Sequence, residues 1–494
     1  MRLRKALSGI GAVLLIYPVA FLLPVLVGIL YRESLLFLLE SYLLPAAFSF
    51  ILGLFMIYWG RWDPKNELDL RPVEALVVVS LTWFFIAAIG ALPYLLTETM
   101  SSYVDAFFES MSGFTTTGAS VIVEIDGLPR SILIWRALTQ WLGGLGVIVL
   151  MVALFSVLMG GPKAGMLLMK GEVPGHSSEK IVHRIKDTAK ILWAIYVVLT
   201  LAEIFLLTIL GLSLYDAVCH TFTTLSTGGY GTHTASITYY QSLSTAPFIE
   251  LVFVFFMFVG GVNFVLHYNF LMKGVRSYLK DREFRVYSLI MVGLVAIVTV
   301  ELVVRGGQSI SSSLRDSLFT IVSIQTTTGY VTANYETWPS LSKFIVLLAM
   351  FLGGMSGSTG GGMKIARVII AYQAARRSLR RIGHSRSVLP LRVGNIVFGE
   401  GIVRSVLTFI FAYMSIFLVG SFLMSLTGLD AISAMSSVAA TLGNVGPGLG
   451  LVGPTSNYAS VAPVGKVLLS VFMWMGRLEL LAVTILFFPH TFRS

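Results

Sequence analysis

The chain has 494 residues, of which 56% are hydrophobic and only 12% charged, and its mean hydropathy is +0.83. A soluble domain of this size carries about twice that charged fraction, so these figures exclude one and set most side chains against lipid or other helices. The net charge of +10 does not indicate nucleic acid, because the basic residues sit in short pieces between apolar runs. One cysteine, Cys219, and seven scattered histidines form neither an internal disulfide nor a metal-ligand spacing.

Apolar runs of spanning length begin at residues 7–30, which follow a basic MRLRK start, lack a small-x-small cleavage site and read as a retained first helix. Others follow at 35–59, 73–96, 131–158, 188–212, 246–272, 284–304, 341–372, 400–427 and 463–488, ten in all. Alternate crossing from a cytoplasmic N-terminus places 27 of the 35 Lys and Arg in or beside the cytoplasmic pieces. The positive-inside rule then sets both termini in the cytoplasm.

Four outer connections repeat. They read DAFFESMSGFTTTG (105–118), DAVCHTFTTLSTG (216–228), DSLFTIVSIQTTTG (316–329) and DAISAMSSVAATLG (430–443), and their end glycines recur every 110, 101 and 114 residues. Each unit begins and ends on the cytoplasmic side, so the repeats are parallel and can close around an axis along the membrane normal. The expected fold is an all-α integral membrane protein with an N-terminal hairpin (1–72) and pore units at 73–160, 161–273, 274–398 and 399–494. Eight of the ten spanning helices form four helix, pore-loop, helix repeats with pseudo-fourfold symmetry around a central pore.

Asp105, Asp216, Asp316 and Asp430 suit N-caps of short re-entrant helices, whose negative C-terminal ends then face the membrane centre, where a dehydrated cation is stabilised. The Thr-rich backbone that follows is tolerable at that depth only if enclosed or lining a wet path, and glycine there permits dihedrals that align carbonyls. In these residues the sequence resembles the Trk/Ktr superfamily of potassium transport proteins, over most of the chain. Its extra N-terminal hairpin is similar to the TrkH branch. The resemblance implies a potassium filter of carbonyls at Thr116, Thr117, Gly118, Ser226, Thr227, Gly228, Thr327, Thr328, Gly329, Thr441, Leu442 and Gly443. The positions after each glycine, Ala119, Gly229, Tyr330 and Asn444, differ, so the implied filter is asymmetric. It implies potassium as the transported ion with no cofactor in this chain, a homodimer in a bacterial or archaeal inner membrane, and a cytosolic nucleotide-binding regulatory subunit of TrkA type. The basic stretch 376–392 is the contact surface expected for that partner, or a topology signal alone.

Two further features interrupt the apolar pattern. In FLGGMSGSTGGGMK (351–364), six glycines disfavour continuous helix, and Ser356, Ser358 and Thr359 supply polar groups that line or obstruct a path. A phosphate-binding loop is excluded because Met363 separates Gly362 from Lys364 and no Ser or Thr follows; glycine-mediated helix packing remains the plain alternative. The family resemblance implies an intramembrane gating loop at Gly353, Gly354, Gly357, Ser358, Thr359, Gly360, Gly361 and Gly362, faced by Arg477 as a positive barrier. Arg477 otherwise pairs internally, with Glu479 for example. Glu203 and Glu301 read as paired with neighbours, His220 and Cys219 as packing, and Gln140, Asn263 and His267 as vestibule-lining or interhelical hydrogen-bonding groups. The rival to a channel-like pore is a proton- or sodium-coupled symporter using Glu203, Glu301 or His220. An enzyme is disfavoured, since no nucleophile–base pair or carboxylate pair clusters.

Overall fold

The computed structural model describes residues 3–60, 72–158, 178–383, 391–393 and 396–478, with 480, 483 and 486. The basic pieces at 61–71 and 159–177, Arg386, Glu479 and the C-terminal tail lie outside the described residues. Helices α1 (Leu3–Ile16), α2 (Leu22–Leu30) and α3 (Leu44–Gly60) form the N-terminal hairpin. Its backbones cross where Gly11 faces Gly53; a Cβ on either would stand 2.8–2.9 Å from the other's carbonyl oxygen. Such small-residue contacts hold helices together where lipid removes the hydrophobic drive.

Four units follow. The first contains α4 (Pro72–Gly90), the short α5 (Tyr103–Phe114) and α6 (Arg130–Leu158). The second contains α7 (Ser178–Ile209), the short α8 (Leu214–Leu225), α9 (Ala246–Gly260) and α10 (Phe264–Lys273). The third contains α11 (Arg282–Val304), the short α12 (Ile310–Gln325), α13 (Ser340–Phe351) and α14 (Ile365–Gly383). A small antiparallel hairpin, Leu391–Val393 with Ile396–Phe398, then leads to the fourth, α15 (Glu400–Leu426), the short α16 (Ala431–Leu442) and α17 (Pro463–Arg477).

Among the described residues, six stretches are long and apolar enough to cross a membrane as helices, and the α9–α10 pair, bent by 99°, makes a seventh if it is one span. Two expected continuous spans are therefore interrupted. The 246–272 run breaks at Gly260 and Gly261, after which Asn263 caps α10 by accepting from Val265 N. The 341–372 run breaks over residues 352–364, between α13 and α14. The 463–488 run is described continuously only to 478.

Polarity is inverted relative to a soluble protein. Phe48, Ile51, Phe55, Val198, Leu201 and Phe205 are exposed, while Ser110, Thr115, Thr223, Thr224, Ser323 and Ser437 are fully buried. An apolar exterior around a hydroxyl-rich interior is what lipid demands of a bundle that encloses a polar path.

Candidate ion pathway

The four short helices sit inside the bundle, each between two longer ones. Asp430 caps α16, accepting from Ile432 N at 3.1 Å and Ser433 N at 3.2 Å. The other three expected Asp caps are displaced by serine. Ser102, Ser213 and Ser309 stand at the cap positions of α5, α8 and α12; Ser213 and Ser309 accept first-turn N–H groups. Asp105 instead meets Lys466 Nζ at 2.7 Å, Asp216 accepts from the hydroxyls of Thr232 and Ser213, and Asp316 lies well inside α12. A serine hydroxyl caps as well as a carboxylate, so an acid near a helix start does not mark its first residue.

Each short helix ends in the same turn. Thr116, Thr227, Thr327 and Asn444 have φ of 50°, 56°, 63° and 55°; two residues on, Gly118, Gly229, Gly329 and Gly446 have φ of 83°, 77°, 82° and 98°. The residue between them donates to the carbonyl five back: Thr117 to Ser112, Gly228 to Thr223 and Thr328 to Ser323 at 2.8 Å, Val445 to Ala440 at 2.7 Å. This conformation corrects the sequence register in two units. In the second unit the equivalent segment is Thr227-Gly228-Gly229, leaving Ser226 as the helix cap, and in the fourth it is Asn444-Val445-Gly446. Thr441 and Leu442 are still helical, and Gly443 at φ −79° is only the C-cap of α16.

The four turns close on one another. A Cβ on Gly118 would strike the carbonyl oxygen of Gly228, one on Gly229 that of Thr328, one on Gly329 that of Val445, and one on Gly446 that of Thr117. The sequence of contacts runs through all four units and returns to the first, so a single axis passes between them. Only glycine fits, on both counts: positive φ and direct backbone approach.

Side chains hold this ring from behind. Gln140 on α6 donates to Gly228 O at 2.8 Å and accepts from Tyr230 N at 3.1 Å. Tyr230 donates to Glu109 O on α5, and Tyr330 to His220 O on α8, each at 2.9 Å, so the residue after one turn fastens to the preceding unit's short helix. The buried Glu109 carboxylate takes both Arg136 Nε and Nη2 (3.1 and 2.9 Å) and also Val121 N at 2.9 Å. Asn444 Nδ2 reaches Thr117 Oγ1 at 3.0 Å and Met473 O at 2.9 Å. Glu109, Arg136 and Tyr230 were not singled out from sequence, and Asn444 only as a departure from the repeat. The available signal was the Thr-x-Gly or Asn-x-Gly spacing, since Asn is the residue after glycine that best tolerates positive φ.

The interrupted span of the third unit docks directly beneath. Met355 N donates to Gly261 O at 2.8 Å and Gly357 O accepts from Phe264 N at 3.1 Å, filling the break between α9 and α10. Thr359 Oγ1 lies 2.9 Å from both Leu225 O and Gly260 O, and Gly361 N donates to Thr327 Oγ1 at 2.7 Å. Gly353 pairs with Met363, closing the segment at its base, and a Cβ on Gly354 or Gly360 would press on Gly261 or Thr326. Ser358 donates to Met355 O, and the buried Lys364 ammonium donates to Gly360 O. Gly362 turns the chain at φ 63°. Arg477, buried at the end of α17, donates to Thr359 O at 2.5 Å and Gly143 O at 3.2 Å.

Other singled-out residues fall to packing or support. His220 contacts the hydroxyls of Tyr240 and Thr232, and His267 those of Tyr278 and the carbonyl of Val259. Cys219 packs with Leu133, Ile134, Ala137 and Tyr215. Glu301 accepts from Ser342 Oγ at 2.6 Å, whereas both carboxylate oxygens of the fully buried Glu203 lack a hydrogen-bond partner among the described residues.

Four short helices whose terminal turns meet, inside an apolar-surfaced helical bundle, define an all-helical, multi-pass membrane protein. Residues 46–492 match the TrkH family, described as a cation transport protein. The Trk system potassium uptake protein TrkH of Salmonella typhimurium is 36% identical over 499 residues, and that of Vibrio parahaemolyticus 37% over 506, each alignment covering 100% of both chains. The crystal structure of the potassium transporter TrkH from Vibrio parahaemolyticus matches with a TM-score of 0.88 at 34% identity, again over 100% of both chains. The chain belongs to the TrkH family of cation transport proteins.

Proposed function

We propose that this protein carries potassium into the cell through a gated, channel-like pore in a bacterial inner membrane. The carbonyls of residues 116–118, 227–229, 327–329 and 444–446 replace the ion's hydration shell. The observation that carries the reading is the closed ring of four alternating-φ turns, which only carbonyl-lined backbone would repeat four times around an axis. The short helices end at the ring, so the negative ends of their dipoles favour a cation there. Potassium as the ion comes from the full-length relatives, which are potassium uptake proteins. Residues 352–364 act as the gate, and Arg477 adds a positive barrier below the ring that resists cation passage until the segment moves. Assembly is as a homodimer with a cytosolic TrkA-type regulatory subunit docked on the basic cytoplasmic face.

Rubidium tracer uptake into proteoliposomes, with sodium competition and a Gly329→Ser variant, tests this. Uptake down the gradient, blunted in flux and selectivity by the variant, supports the pore. One observation favours the coupled reading, the fully buried Glu203 carboxyl, which makes no ion pair among the described residues. Uptake that appears only under an imposed proton or sodium gradient, and is lost in Glu203→Gln, would replace the pore with a symporter.

A further inference from the structure

The 352–364 segment meets the ring above it through Thr327, and the ends of α8 and α9 through Leu225 and Gly260. From the opposite side Glu283 reaches it. Glu283, in the first turn of α11, places one carboxylate oxygen 2.7 Å from Ser356 N, within the segment, and 3.0 Å from Ala366 N, the second residue of α14. Ala366 N is one of the amides that a helix start leaves without an internal partner, so Glu283 caps α14 from a neighbouring helix while holding the segment that precedes it. Asp281, two residues earlier, is occupied as the cap of α11 itself, accepting from Phe284 N at 2.8 Å. One turn on, Tyr287 is buried against Phe258 and Gly261, at the break where Met355 docks. This face of α11 therefore meets the segment, the α9–α10 break and the start of α14 at once.

We propose that Glu283 is the latch of the gate: its carboxylate couples the 352–364 segment to α14, so that displacement of α14 and release of the segment become one event. This rests on the reading of 352–364 as the gate. The coupling gives the gate a handle. α14 runs on to Arg376, Arg377 and Arg380, so force applied to that basic end is transmitted through Ala366 and Glu283 to Ser356, rather than dissipating in a glycine-rich chain. A shared oxygen also makes the two bonds interdependent: pulling α14 away weakens the hold on the segment without any change at the ring.

The test is basal rubidium uptake by the full chain in proteoliposomes with no other protein added, comparing Glu283→Ala and Glu283→Gln with Arg477→Gln and Thr359→Val, which loosen the segment from its other side. Hydrogen exchange at Ser356 and Ala366 is read in parallel. Losing two hydrogen bonds to one carboxyl oxygen should raise basal uptake about tenfold in Glu283→Ala, with an intermediate rise in Glu283→Gln, whose amide oxygen still accepts. Both amides should exchange faster, and the rubidium-to-sodium ratio should stay that of the parent. A residue that merely supports the fold would lower uptake or leave it unchanged. Wild-type uptake in both Glu283 variants, while Arg477→Gln and Thr359→Val leak, overturns the latch and leaves the gate standing. Wild-type uptake in all four variants overturns the gate, and the latch with it. Should Glu283→Ala fail to fold, Glu283→Gln decides by the same criterion.

Discussion

The ring and the segment beneath it are both glycine-rich backbone at membrane depth, yet they are held in opposite ways. Every strand of the ring hangs from its own short helix through the same amide-to-carbonyl bond, 117 to 112, 228 to 223, 328 to 323 and 445 to 440. The 352–364 segment instead borrows its partners from other elements: Gly260, Gly261 and Leu225 of the second unit, Thr327 of its own unit's turn, Glu283 of α11 and Arg477 of α17. A structure held by its own helix moves only with that helix, whereas one held by neighbours is released when a neighbour shifts. The first arrangement fits the selecting role proposed for the ring, and the second the gating role proposed for the segment.

The largest expected effect attacks the ring's self-sufficiency. Gly446→Ala adds a Cβ at φ 98° and drives it toward Thr117 O, so rubidium uptake should fall on the order of a hundredfold, as in Gly329→Ser. Thr441→Ser, which keeps the hydroxyl bond to Ser437 O, should leave the rubidium-to-sodium ratio unchanged. Equal losses in both variants would return the fourth strand to 441–443. Next comes the segment's most highly charged tether. Arg477→Gln removes a guanidinium bonded to Thr359 O and Gly143 O, and basal uptake in proteoliposomes should rise about tenfold, roughly 1.4 kcal/mol in the gating equilibrium. A fall in uptake would mean that Arg477 supports the path rather than obstructing it.

What was legible in the sequence follows the same division. Apolar length marks helices that cross lipid, and the recurrence of four Thr/Gly turns marks the parallel units, because both signals are carried by many residues. The register of a single turn is not. Asp-to-Gly spacing aligned Gly443 with Gly329, but the physical repeat runs from cap to positive-φ glycine: Ser102 to Gly118, Ser213 to Gly229 and Asp430 to Gly446 are each sixteen residues, and Ser309 to Gly329 twenty, one helical turn more. Asp430 is thus the counterpart of two serines rather than of Asp316. Ser356 for Glu283, Gly228 for Gln140 and Thr117 for Asn444 lie roughly 70 to 330 positions away in the chain, and no local pattern encodes such pairs.

A smaller effect separates the segment's side-chain bonds from its backbone ones. Thr359→Val keeps the amide bond to Gly260 O but removes the hydroxyl shared between Leu225 O and Gly260 O. Since a neutral hydrogen bond contributes about 0.5–1.5 kcal/mol, basal uptake should rise about threefold, well short of Arg477→Gln. A rise as large as that of Arg477→Gln would show that the hydroxyl, not the charge, holds the segment.

The smallest effect should touch stability without touching transport, because a helix start is the part of each unit farthest from its ring strand. Asp430→Ala removes the cap of α16 and should cost about 1 kcal/mol, seen as a slightly lower thermal midpoint, with the rubidium-to-sodium ratio unaltered. Asp316→Ala, inside α12 and not a cap, should cost less. The pH dependence distinguishes capping from a general loss of charge. Hydrogen bonds, from the Ser433 hydroxyl first and then from the Ser433 and Ile432 amides, hold the Asp430 carboxyl below its ordinary value. A carboxyl depressed in the folded state stabilises fully above its unfolded pKa of about 4, and that contribution disappears as pH falls through the lower folded value. The wild type's advantage over Asp430→Ala should therefore be constant from neutral pH down to about pH 5 and then shrink with further acidification. An advantage that persists unchanged at low pH would place the stabilisation in the neutral side chain's packing rather than in the cap.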